Sequence, residues 1–222
     1  KMSSDGFGDT TVSALIKLYQ EKDYMGVDGE DEDESETLHM QLGLSLPTGS
    51  TDEKGQRMGG FGNLPYSMQL GSGTYDPVVA LTYFENEGEY SWGAQAYGKF
   101  RFGENDQDYR LGNEYKVTSW VAKNITEWAS ASFRVEGISK GDINGFDPDT
   151  IGFRNMSPTF DPDNYGGEEL YIGFGINLLA DKDAKLKDHR LAFEYKVPVY
   201  QDLNGPQMET QQILTFGWQW AF

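Results

Sequence analysis

The sequence predicts an all-β fold: a single antiparallel β-barrel that crosses a membrane on its strands. Three observations predict it. Segment after segment alternates apolar and polar residues with period 2, the period at which successive side chains of a strand leave opposite faces. Aromatic residues make up 14% of the chain and Gly occurs 27 times, against 37% hydrophobic residues overall, a composition suited to many strands joined by turns. The connectors alternate between short and long, as in barrels with tight turns on one side of a membrane and long loops on the other.

Taken in order, the first strand is expected over Thr10 to Leu18. The next, Leu38 to Leu46, has the cleanest pattern, with Leu38, Met40, Leu42, Leu44 and Leu46 on one face and His39, Gln41, Gly43 and Ser45 on the other. Tyr75 to Tyr83 follows. The stretch "SWGAQAYGKFRF" then sets Trp92, Ala94, Ala96, Phe100 and Phe102 against Ser91, Gln95, Tyr97, Lys99 and Arg101. Strands over Tyr109 to Val121 and Ala129 to Val135 are less regular. Leu170 to Leu178 places Ile172, Phe174 and Ile176 opposite Tyr171, Gly173, Gly175 and Asn177. Leu191 to Val199 precedes the last segment, "LTFGWQWAF", in which Leu214, Phe216, Trp218, Trp220 and Phe222 share a face. An apolar face ~5 residues long fits the ~9–11 residues with which a tilted strand spans a bilayer. The apolar faces should therefore point away from the barrel axis and the polar faces into the lumen.

Short connectors, Glu85 to Glu89 and Lys123 to Glu127, alternate with the long ones, Pro47 to Thr74 and Gly137 to Glu168. If Phe222 ends on the periplasmic side, both short turns fall inside and both long loops outside; the acidic stretch Glu21 to Glu36 is the exception, long yet periplasmic. Both ends of a closed barrel lie in the periplasm only if the strand number is even, so parity predicts either strands before residue 1, about ten or twelve in the complete protein, or a further strand inside Pro47 to Thr74. The strand at Phe7 to Tyr19 should then be an edge. Nothing between these segments reads as a linker, so residues 1–222 form one domain.

Composition narrows function. A formal charge of −18, from 36 acids and 18 bases, opposes a nucleic-acid partner. There is no Cys, hence neither a disulfide nor a thiolate metal site. A soluble lipocalin-like barrel would point its apolar face inward and keep its outside charged. Here Lys, Arg, Glu and Gln stand in mid-strand, while aromatics such as Trp92, Phe102 and Trp220 mark the ends of the apolar faces, as interfacial girdles do.

On this assignment the lumen is lined by Lys17, Tyr97, Lys99, Arg101, Arg110, Glu114, Lys116, Arg134, Arg190, Glu194 and Lys196, with Asp9, Asp76 and Glu136 as further acids. Bases outnumber acids there, inverting the balance of the whole chain. Such a wall is either a polar, weakly anion-favouring path or a set of cross-strand pairs that plugs a narrow barrel. Arg190, Glu194 and Lys196, on one face of one strand, are the expected core of that network, and Glu194 is expected to face the wall of Lys99, Arg101, Arg110 and Lys116 across the interior. Of the two His, His39 and His189 sit near turns, no Ser lies in a nucleophile elbow, and no catalytic role is expected. "DINGFDPD" offers Asp142, Asn144, Asp147 and Asp149 but lacks the spacing of a calcium loop, so neither a metal nor a cofactor is expected.

The stretches "DGFGDTTVSALIKLY", "LGLSLPTGS", "LGSGTYDPVVALTYF", "NYGGEEL" and "EYKVPVYQDLNGPQMETQQILTFGWQWAF" together resemble the bacterial outer-membrane barrel family named for the meta-pathway of phenol degradation. The resemblance runs from Asp5 to Phe222. It implies an outer-membrane channel or transporter for small molecules, with hydrophobic or aromatic compounds and small anions as candidate solutes; the alternative is a non-conducting structural or surface-recognition barrel with a plugged lumen. It also implies membrane lipid and lipopolysaccharide as surroundings, further strands before "GFGD", and Phe222 as the terminal aromatic read by the barrel-assembly machinery. The sequence departs from the family pattern in its long acidic connector, Glu21 to Glu36.

Overall fold

The structure, a computed structural model, describes residues 2–22, 34–57, 60–180 and 189–220. The chain runs through β1 (Thr10–Lys22), β2 (Glu34–Leu46), β3 (Lys54–Arg57), β4 (Gly60–Asn63), β5 (Asp76–Glu87), β6 (Tyr90–Lys99), β7 (Tyr109–Arg110), β8 (Glu114–Thr126), β9 (Ala129–Lys140), β10 (Asn144–Gly145), β11 (Gly167–Leu179), β12 (His189–Leu203) and β13 (Ile213–Trp220). Apart from short 3₁₀ turns, the described residues carry no helix. Nine strands form one antiparallel sheet in the order β1-β2-β5-β6-β8-β9-β11-β12-β13, so each strand pairs with its neighbours along the chain.

The period-2 pattern fixes which face each side chain takes. Along β2 and β5 the register pairs Leu42 with Val79 and Met40 with Leu81, so these apolar residues share the outer face. The same face carries Phe133 against Phe174, rings 5.3 Å apart, and on β13 leaves Phe216 71% and Trp218 63% exposed. The opposite face is the buried one: Val78, Ala80, Thr118, Glu136 and Tyr171 all lie below 9% exposure. Hydrophobic side chains thus cover the outside while polar ones fill the inside, the reverse of a soluble barrel.

The sheet curls. A single cavity touches Phe84 of β5, Trp120 of β8 and Gly217 of β13, strands far apart in sheet order, and connectors rooted in distant strands meet above it. Within the described residues β1 and β13 each have a neighbour on one side only. That agrees with the expectation of an edge at Phe7 to Tyr19.

The two shortest connectors share one end. At one end Gly88–Glu89 and Glu127–Trp128 are two-residue turns; Gly88, at φ 57°, supplies the left-handed backbone such a tight turn requires. Of the acidic connector Glu21 to Glu36, residues 23–33 lie outside the described residues, while its first two and last three residues belong to β1 and β2. At the other end residues 47–57, 60–75, 100–113, 141–166 and 204–212 fold together into a cap. Its core is Tyr66, Tyr109 and Ile143, packed with Leu111 and Tyr165; Tyr66 meets Tyr109 edge-on at 4.9 Å and Tyr165 at 5.6 Å. The cap corrects one expected strand: β8 begins at Glu114, and Tyr109–Arg110 instead pairs with Asn144–Gly145, with Leu111 packed on the cap core and Gly112 closely against Gly141. The connector between β6 and β8 therefore spans residues 100–113. The hairpin β3–β4 also belongs to the cap and forms its own sheet.

Candidate functional site

The inner face is ordered in rows, because antiparallel register sets inward residues of adjacent strands side by side. One row runs Gly93, Trp120, Arg134, Gly173, Lys196. The adjacent row, toward the cap, runs Gln95, Thr118, Glu136, Tyr171. Across these rows Arg134 Nε donates to Glu194 Oε2 at 2.9 Å and Lys196 Nζ to Glu136 Oε1 at 2.7 Å. Each pair joins β9 to β12 over the intervening β11. That crossing is possible because β11 presents Gly173: a Cβ there would stand 2.8 Å from Lys196 Cγ. Rings complete the belt. The Arg134 guanidinium lies 5.3 Å from the Trp120 ring centre and Lys196 Nζ 5.8 Å from that of Tyr171, within cation–π range.

Toward the turn end the next two rows are built of small residues. One runs Ser91, Ala122, Ser132, Gly175 before Glu194; the other runs Ser130, Asn177, Ala192, Gly217. Missing side-chain volume leaves a cavity of about 730 Å³, open to solvent, bounded by the belt above and by Trp128, Leu179 and Arg190 near the turns. At the far end of its strand Arg190 Nη2 donates to Asn177 Oδ1 at 2.8 Å.

On the cap side the wall is closed by a second polar cluster. Asp76, with no exposed surface, forms an ion pair with Arg101 and accepts from Ser72 Oγ at 2.9 Å and Thr74 Oγ1 at 2.6 Å. Lys99 Nζ donates to Ser45 Oγ at 3.1 Å. Above this, the loops are stitched by Asn63 Nδ2 to Asp147 Oδ2 at 2.8 Å, the Asp147 N–H to Tyr66 Oη at 3.0 Å and Asn105 Nδ2 to the Ser72 carbonyl at 3.0 Å. Burial pushes the Tyr109 and Tyr165 hydroxyls above the ordinary tyrosine range, so the core of the cap stays uncharged.

The structure brings Tyr97, Lys99, Glu114, Lys116, Arg134, Arg190, Glu194 and Lys196 to the inner face, with Lys116 Nζ 5.6 Å from the Tyr97 ring centre and 3.9 Å from Glu114. Lys17 lies on the same face of β1, opposite His39. Arg101 stands just beyond β6. Two expectations are corrected. Arg110 belongs to the cap ladder opposite Asn144 and not to the wall. The partner of Glu194 is accordingly Arg134 across β11, and the network spans strands instead of centring on β12. Asp9 holds the cap root, accepting from Gly49 N at 3.0 Å and Ser72 N at 2.8 Å. Asp142 and Asp147 are engaged as loop acceptors, and the described residues hold no cluster of three or more His, Cys, Asp or Glu placed for a metal. His189 stacks between Trp218 and Trp220 at 5.6 and 5.7 Å on the outer face. Phe222 lies outside the described residues. Sequence reasoning missed Trp120 as an inner residue, Trp128 at the cavity rim and the small-residue rows that make the cavity; the runs "ASAS" and "GFGIN" were the available signal.

A family model described as "Putative MetA-pathway of phenol degradation" matches residues 2–187. No curated protein matches the chain.

Proposed function

The chain belongs to this phenol-degradation family, and from that membership together with its inside-out side-chain distribution we propose that it is an outer-membrane β-barrel giving small molecules a constricted passage. One observation carries the reading: a sheet with Phe216 and Trp218 exposed on its outer face holds ion pairs and a cavity on its inner face. In water that exposed apolar surface would drive aggregation; in a bilayer it is the solvated side. Lipid and lipopolysaccharide are then the outer surroundings, and the long-loop cap faces the cell exterior.

The belt of Arg134–Glu194 and Lys196–Glu136 is the constriction. Purified protein in planar bilayers should give small discrete currents, and Arg134→Ala/Glu194→Ala, which removes both partners and strands neither charge, should raise conductance by roughly two-fold or more. The hydrogen-bonded cap favours a second reading, a non-conducting recognition barrel. Silence from the wild-type protein with current only in the double variant supports that reading, whereas silence from both contradicts a passage at the belt.

A further inference from the structure

We infer that the cavity on the turn side of the belt is a binding site for an aromatic carboxylate of one or two rings. The inference deepens the passage reading and rests on it for how the ligand arrives. Its volume, about 730 Å³, falls within the ~300–1,000 Å³ of small-molecule sites. Rings stand at its borders: Trp120 in the belt, Phe84 beside it and Trp128 at the turns. The Arg134 guanidinium already lies over Trp120, and a planar cation of this kind also stacks on a ligand ring.

The charge balance decides the sign of the ligand. Two of the three cavity bases are satisfied internally, Arg134 by Glu194 and Lys196 by Glu136. Among the described residues Arg190 has the Asn177 amide oxygen and no carboxylate partner. The remaining cavity acid, Glu127, sits in an exposed turn. A guanidinium fork with spare donors, with the Ser130 hydroxyl and the Asn177 amide N–H nearby, suits a carboxylate bound bidentately. A ligand cation would be repelled by Arg190, and a saturated ring would forgo the stacking.

Isothermal titration of the full chain folded in detergent micelles, with benzoate as probe, tests this directly. Benzoate should bind once per chain, with benzyl alcohol and cyclohexanecarboxylate each about five-fold weaker or worse. Arg190→Gln should weaken benzoate roughly ten-fold and leave benzyl alcohol unchanged, and Ala192→Phe, which fills the cavity, should abolish benzoate binding while circular dichroism reports the folded barrel. Absence of benzoate binding, equal affinity for cyclohexanecarboxylate, or an Arg190→Gln variant that binds benzoate normally would each overturn the site. A protein that binds benzoate in this pattern but passes no current supports the site and contradicts the passage; one that conducts without binding does the opposite.

Discussion

Asp76 shows how a single residue couples wall to cap. Its carboxylate is fully enclosed and accepts from Ser72, Thr74 and Arg101 together, so it ties the start of β5 to the loop before it and to the segment after β6. Asp76→Ala would leave the Arg101 guanidinium buried and unpaired, a loss of about 3–5 kcal/mol. Urea unfolding of the micelle-folded protein measures it, and a loss below about 1 kcal/mol would show that water or a rearranged loop replaces the carboxylate. The sequence reading already counted Asp76 and Arg101 among the inner charges, because alternation gives the face of a residue. It did not reveal that they pair, since pairing depends on loop geometry that no period encodes. Arg110 failed for the same reason: its alternation continues that of β8, yet the chain turns between them and delivers it to the cap.

At the scale of the element, β13 carries the contrast on which the proposed function depends. Its outward residues Leu214, Phe216 and Trp218 are exposed, while inward Thr215 and Gly217 line the cavity. Phe216→Arg should cost about 2–4 kcal/mol of folding free energy in phospholipid vesicles, as a charge near the bilayer midplane does. Thr215→Arg, one residue away but facing the cavity, should cost less than about 1 kcal/mol. Equal costs at the two positions, read from urea titrations in the same vesicles, would remove the distinction between faces. The strands with regular alternation, β2, β6, β11 and β13, were legible in the sequence to within a few residues. The cavity was not, because it is made of what Ser130, Ser132, Gly175, Ala192 and Gly217 lack, and absent volume becomes visible only when register sets those residues side by side.

For the molecule as a whole, charge is sorted as well as hydrophobicity. The chain carries −18 overall, yet mid-wall bases and acids meet in pairs and Arg190 remains with only an amide acceptor among the described residues. The two shortest connectors, readable directly from the sequence, marked the turn end, although residues 180–188 at that end and 204–212 at the loop end are equally long; the folding of the long loops into one cap was not readable, since it rests on contacts between residues as distant as Asn63 and Asp147. What unites these features is the assignment of lipid to the outer face and solute to the inner one. Single-Trp variants reconstituted in bilayers with brominated acyl chains test that assignment most directly, one retaining only Trp218 and the other only Trp120. The account expects strong quenching of Trp218 and little of Trp120; quenching of Trp120 equal to or greater than that of Trp218 would contradict it.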